Sequence, residues 1–278
     1  MNGSAIGIIA GGGDLPRAIA ESARDSGRKV FVLGLRGSGE NWVSNFPHAW
    51  ISLGETSKAF RALRAGDVGE VLLAGRVERP KFSEIKLDAK SVMLAPRVMA
   101  AALKGDDALL RSLVDLFERE GFRVIGAAEA APKLVADIGA LARSRPSPDD
   151  ERDIALAFKV VRALGELDVG QASVVCAGLT LAVEAAEGTD AMIARIAELP
   201  EHLRGTTTRR RGVLAKAPKP VQDRKTDLPV IGLQTVRNAA GVGLAGIAVE
   251  AGGALIVDKR AVGEEADKLG LFVVGVPA

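Results

Sequence analysis

In 278 residues there is no tyrosine, one cysteine and two histidines. The lone cysteine, Cys176, excludes an intrachain disulfide and makes a reducing compartment the default. Cys176, His48 and His202 are too few for a zinc site built on sulfur and imidazole. A metal would have to be held by Asp and Glu oxygens, which suits a hard cation such as magnesium, with manganese as the alternative. No segment approaches the roughly 20 uninterrupted apolar residues of a membrane-spanning helix. Residues Met1–Ala10 lack a basic region ahead of a long apolar stretch, and Gly11–Gly13 break them off, so they read as a first strand and not as a signal peptide. The expected setting is the cytosol, with room for a peripheral contact with the inner face of the membrane. Charge of one sign is also missing. The 37 Lys and Arg face 35 Asp and Glu, which argues against a global nucleic-acid footprint. Neither G-x-S-x-G nor G-x-x-x-x-G-K-[ST] occurs, against α/β serine hydrolases and P-loop nucleotide hydrolases.

What is present is an ordinary globular balance, 47% hydrophobic and 26% charged, at a length that suits about two domains. The first half alternates apolar runs (Ile6–Ala10, Val30–Leu33, Val71–Ala74, Val124–Ile125) with helical patterns (Arg17–Arg24, Lys58–Arg64, Val92–Leu103, Ala108–Glu120). That alternation predicts a parallel, Rossmann-like sheet covered by helices. Arg143–Asp150 carries two prolines at alternate positions and reads as a linker, with Asp149 or Asp150 capping a helix over Glu151–Leu164. The second half has strand-like runs at Ser173–Cys176, Leu179–Val183, Gly212–Ala215, Gly246–Val249, Ala254–Val257 and Leu271–Val274. Its helices are expected at Ala191–Ala197, Thr235–Ala240 and Glu264–Leu269. The expected architecture is therefore α/β in two domains, a parallel one over 1–142 and a mixed α/β one over 151–278, joined by 143–150. The cleft between them is the default site.

Gly11-Gly12-Gly13-Asp14-Leu15-Pro16 follows the first strand and opens a helix, where backbone amides can approach a phosphate. A dinucleotide fingerprint fails: Pro16 occupies its last position, and the strand Val30–Leu33 ends in Gly34 and not in a ribose-binding acid. Gly241–Gly246 matches G-x-G-x-x-G literally, but it lies between helix and strand in the wrong order and reads as a turn. Glu184, Glu187 and Asp190 are spaced by three residues around Gly188, and acids at a strand end beside a glycine turn can converge on a divalent cation. Between His202 and Lys225 stand Arg204, Arg209, Arg210, Arg211, Lys216, Lys219, Arg224 and Lys225 against Asp223 alone. Such a run is a solvated surface or meets a polyanion. Without interleaved aromatics, a phosphorylated small molecule fits better than nucleic acid. Pro220 and Pro229 bracket Asp223 and Asp227 in a stiff loop, and acids among many cations suit metal-assisted phosphoryl chemistry. Glu250 reads as a turn acid, and Cys176 as a small core residue.

The blocks Ile8–Pro16, Asp168–Gln171, Val183–Ile193, Lys219–Asp223, Asp227–Gly232 and Val249–Gly252 occur in this order. Together they resemble the UDP-2,3-diacylglucosamine pyrophosphatases of lipid A biosynthesis, of the type unrelated to calcineurin-like phosphoesterases. The resemblance implies a magnesium-dependent hydrolase that splits the pyrophosphate of UDP-2,3-diacylglucosamine into UMP and 2,3-diacylglucosamine 1-phosphate (lipid X). It implies water attack on the sugar-side phosphorus, an essential aspartate at Asp227, and substrate held between two domains. With the residue reading, it gives Asp227 and Asp190 as catalytic, and Asp190, Asp223 and Asp227 as metal ligands. Gly11, Gly12, Gly13, Asp14, Gly188, Thr189, Arg210, Lys219 and Gln222 are then the expected substrate contacts. The expected partner is a lipid-linked sugar nucleotide, and a homodimer is left open. The rival readings are a sugar-nucleotide oxidoreductase and a non-enzymatic module that binds phospholipid or nucleotide.

Overall fold

A computed structural model describes residues 4–77, 85–103, 105–220 and 228–278. The chain divides into two compact units at Lys133/Leu134. Among the described residues no helix is long and apolar enough to cross a membrane.

The first unit runs β1 (Ala5–Ala10), α1 (Asp14–Asp25), β2 (Val30–Leu35), β3 (His48–Ile51), α2 (Thr56–Ala65), β4 (Val68–Ala74), α3 (Ala89–Ala102), α4 (Asp106–Arg119), β5 (Arg123–Val124) and α5 (Ala127–Ala130). Its five strands lie in the order β3-β2-β1-β4-β5, all parallel. Every residue of β1 is buried, as expected of a central strand covered on both faces. On α1, Pro16, Ile19, Ala20 and Ala23 recur at helical spacing and face inward. Phe60, Phe117 and Phe122 pack with one another in the core, with ring centroids 5.5–6.3 Å apart. The order of strands reverses between β1 and β4, the place where open parallel sheets take ligands at their strand ends.

The second unit runs β6 (Gly139–Ala140), α6 (Pro148–Glu166), β7 (Ala172–Cys176), β8 (Leu179–Val183), α7 (Gly188–Ile196), β9 (Val213–Lys216), β10 (Val230–Ile231), α8 (Leu233–Gly241), β11 (Gly246–Glu250), β12 (Leu255–Ile256), α9 (Lys259–Leu269) and β13 (Phe272–Val276). Six strands follow the order β6-β13-β11-β9-β7-β8. β13, β11 and β9 are parallel, while β6, β7 and β8 pair antiparallel, so the sheet is mixed. β10 and β12 form a separate parallel pair. Side chains alternate between the faces. Leu214, Ile247 and Val249 join a core with Ile193, Val236 and Val262 from α7, α8 and α9. Val213, Ala215 and Ala248 meet Ile154, Phe158 and Val161 of α6 on the other face.

The expected linker has a different part. β6 pairs with β13, so the chain ahead of Arg143 already belongs to the second unit. Pro148 is the first residue of α6, and Ser147 is its cap in a reciprocal capping box with Asp150. Proline suits the first helical position because its missing N–H has no partner there anyway. Gly241–Gly246 is a helix-to-strand turn, as its order in the sequence indicated.

Candidate active site

Three strands of the second unit lead into charged residues. β9 ends in Lys216, β11 ends in Glu250, and Glu184 follows β8; all three are buried. A buried charge costs several kcal/mol unless it is paired and hydrogen-bonded. Lys216 shares a sheet face with Leu214, toward α7. Its Nζ donates to Thr189 Oγ1 at 2.9 Å and to the Val230 carbonyl at 3.1 Å. Thr189 in turn donates to Glu184 Oε1 at 2.6 Å, and Glu184 Oε2 accepts from the Gln171 amide at 3.1 Å. A hydroxyl thus bridges a buried ammonium and a buried carboxylate. Glu250 shares a face with Ala248, toward α6, where Arg162 lies 3.9 Å from Oε2. Lys216 and Glu250 therefore stand on opposite faces of the sheet.

Asp190 is in the first turn of α7, exposed, and accepts from Asn238 Nδ2 at 2.9 Å. Gly188 enters that helix at φ 80°, a conformation that favours glycine. Lys219 pairs with Asp168 at 2.7 Å. Arg210 donates to the carbonyls of Ala240, at 2.8 Å, and Leu244, at the carboxyl end of α8, and burial lowers its pKa from the ordinary arginine value. Gln222, Asp223 and Asp227 lie outside the described residues. The expected convergence of Glu184, Glu187 and Asp190 on one cation does not occur. Glu184 is held by Thr189 and Gln171, Glu187 by Arg195 at 3.0 Å, and Asp190 by Asn238. Among the described residues, no three His, Cys, Asp or Glu side chains are grouped to hold a metal. The carboxylates near these strand ends are nevertheless the oxygen donors that a hard cation takes.

The basic stretch is likewise not one solvated surface. Arg204 donates to the carbonyls of Leu199, at 2.8 Å, and Gly205, at 3.1 Å; Arg210 ties down α8, Lys216 is buried, and Lys219 is paired. In the first unit the glycine loop is mostly backbone architecture. The Gly11 amide donates to the Ala74 carbonyl at 2.9 Å, and Gly12 exchanges two hydrogen bonds with Arg76, at 2.8 and 2.9 Å. A Cβ on Gly11 would stand 2.6 Å from the Arg76 carbonyl oxygen, so the chain leaving β1 can lie this close to the chain leaving β4 only without a side chain there. Gly13 caps α1 at φ 89° with no side-chain cap, so the first-turn amides of α1, beside Asp14, are the donors the loop retains.

With that geometry in view, the chain matches the family models of the LpxI N-terminal domain over residues 5–134 and the LpxI C-terminal domain over residues 137–274. This chain belongs to the LpxI family. It is 49% identical over 271 residues to the UDP-2,3-diacylglucosamine pyrophosphatase LpxI of Caulobacter vibrioides, covering 98% of this chain and 97% of that relative. In this LpxI chain the Asp168–Gln171 block has a structural reason. A Cβ at Gly170 would lie 2.1 Å from the Glu184 carbonyl oxygen, and the next residue supplies the amide that holds the Glu184 carboxylate. In the sequence Lys216 is masked by the basic run around it. The available signal was its place at the end of the apolar run Gly212–Ala215.

Proposed function

We propose that this LpxI-family chain hydrolyses the pyrophosphate bond of UDP-2,3-diacylglucosamine with water, giving UMP and 2,3-diacylglucosamine 1-phosphate, and requires magnesium. The observation that carries this reading is the kinship over nearly the whole of both chains. The strand ends of the second unit support it, since they bring acids and cations together as phosphoryl chemistry needs. Asp190, Asp223 and Asp227 would hold the cation. When bound, it supplies positive charge that neutralises the pyrophosphate oxygens. The carboxylates of Asp227 and Asp190 ligate it or take the proton of the attacking water, which adds to the sugar-side phosphorus and displaces UMP. The Thr189 amide, in the first turn of α7 beside Gly188, favours a phosphate oxygen. Lys219, Gln222 and Arg210 add polar and charged donors. On the first unit, the α1 amides beside Gly13 and Asp14 offer donors for the nucleotide. Val92, Met93, Met99 and Leu103, exposed on and just after α3, offer an apolar surface for acyl chains or the inner membrane face.

Incubation with UDP-2,3-diacylglucosamine in ¹⁸O-water, with magnesium and then with EDTA, tests this by mass spectrometry. The expected result is UMP and labelled sugar phosphate with magnesium, and intact substrate with EDTA. Release of UDP and diacylglucosamine would overturn the reading.

A further inference from the structure

Lys216 joins three pieces of chain that are distant in sequence. It ends β9, it reaches Thr189 at the start of α7 one residue before Asp190, and it reaches the carbonyl of Val230, three residues after Asp227. The Thr189 hydroxyl accepts from Lys216 and donates to Glu184, so its single proton is committed and its orientation fixed. We propose that Lys216 is a positioning residue for the hydrolysis: through Thr189 and Val230 it fixes the α7 start that bears Asp190 against β10, whose first residue stands three positions after Asp227 in the sequence. This role rests on the hydrolase reading above. It fits the chemistry of the side chain, since a buried ammonium is a strong, directional donor that can hold two acceptors at once. A displacement of a reacting group by about 1 Å can cost on the order of 10²-fold in rate.

The test is steady-state hydrolysis of UDP-2,3-diacylglucosamine with magnesium by the wild type, Lys216→Met, Thr189→Val, Thr189→Ser and the Lys216→Met/Thr189→Val double variant. Lys216→Met is expected to lower kcat by about 10²-fold while KM stays within about threefold, because orientation and not uniform binding is lost. Thr189→Val, which keeps both buried charges, should fall in the same direction, and Thr189→Ser less far. The double variant should be little worse than Lys216→Met alone, as expected for residues acting through one network. A folded Lys216→Met protein with wild-type kcat, a change in KM alone, or fully additive losses would overturn the proposal. If Lys216→Met does not fold, Thr189→Val decides: wild-type kcat in that variant overturns it. A wild type that releases no UMP would instead remove the hydrolase reading itself.

Discussion

Gly11 and Gly12, just after β1, give their amides to the carbonyls of Ala74, which ends β4, and of Arg76, which follows it, whereas Lys216 and Glu250, at the ends of β9 and β11, carry charge below the surface. The first arrangement needs the absence of a side chain. The second needs partners for every buried polar atom. Among the described residues, the buried charged side chains, Asp153, Glu184, Lys216 and Glu250, all belong to the second unit. Burial by itself does not assign a role. Asp153 accepts from the amides of Ala177 and Gly178, each at 2.8 Å, and so clamps the β7–β8 turn, where Ala177 sits at φ 52°. The Glu184–Thr189–Lys216 network differs in what it joins: the approaches to the acid-bearing segments, and not one turn.

Metal removal should have the largest effect on the second unit's acids. Chelation should abolish turnover, and added magnesium should restore it; full activity in excess chelator would separate the second unit's acids from any cation. Next in size, Asp153→Ala should cost about 2–3 kcal/mol by leaving two amides without their charged acceptor. Its folded fraction should keep its kcat, measured by thermal melting alongside turnover, and so separate a structural buried acid from the network. Gly11→Ala should cost about 1–3 kcal/mol, because its Cβ would press on the Arg76 carbonyl. Melting of the first unit measures this, and unchanged stability would mean that β1 and β4 need no glycine there.

The smallest effect concerns acid. The Lys90 ammonium, and after it the Arg64 guanidinium, donate to Glu120 and hold its carboxyl below the usual value of 4.5. A lowered folded value means that this stabilisation is present above 4.5 and is lost as pH falls through the lowered value. For such partly exposed pairs the effect is at most about 1 kcal/mol. Glu120→Gln should therefore flatten the acid limb of a stability–pH curve slightly, and an unchanged limb would remove the pair from the balance.

Long apolar runs made most of the fold legible. β1, β2, β4, β7, β8, β9, β11 and β13 lie where hydrophobic periodicity put them. β3, β6 and β10 escaped because they are short pieces of two to four residues whose identity comes from a partner strand. Pro148 suits a linker as well as a helix start, because proline marks both; the reciprocal Ser147–Asp150 cap decides for the helix. At the candidate site, the block around Glu184 and Asp190 stood out, but spacing suggested convergence where tertiary partners impose separation. Asn238, 48 residues from Asp190, and Gln171, 13 residues from Glu184, take those carboxylates. No one-dimensional pattern announces such pairs; for Lys216 the apolar run Gly212–Ala215 marks the strand end but not the Thr189 and Val230 partners.

Turnover of UDP-2,3-diacylglucosamine by folded Asp227→Ala protein tests most directly the proposed role of Asp227 in the hydrolysis. A positioned acid or base contributes roughly 10²–10⁴-fold, so kcat should fall by at least about 10²-fold with the melting curve of the wild type retained. Near-normal kcat in that protein would contradict the account.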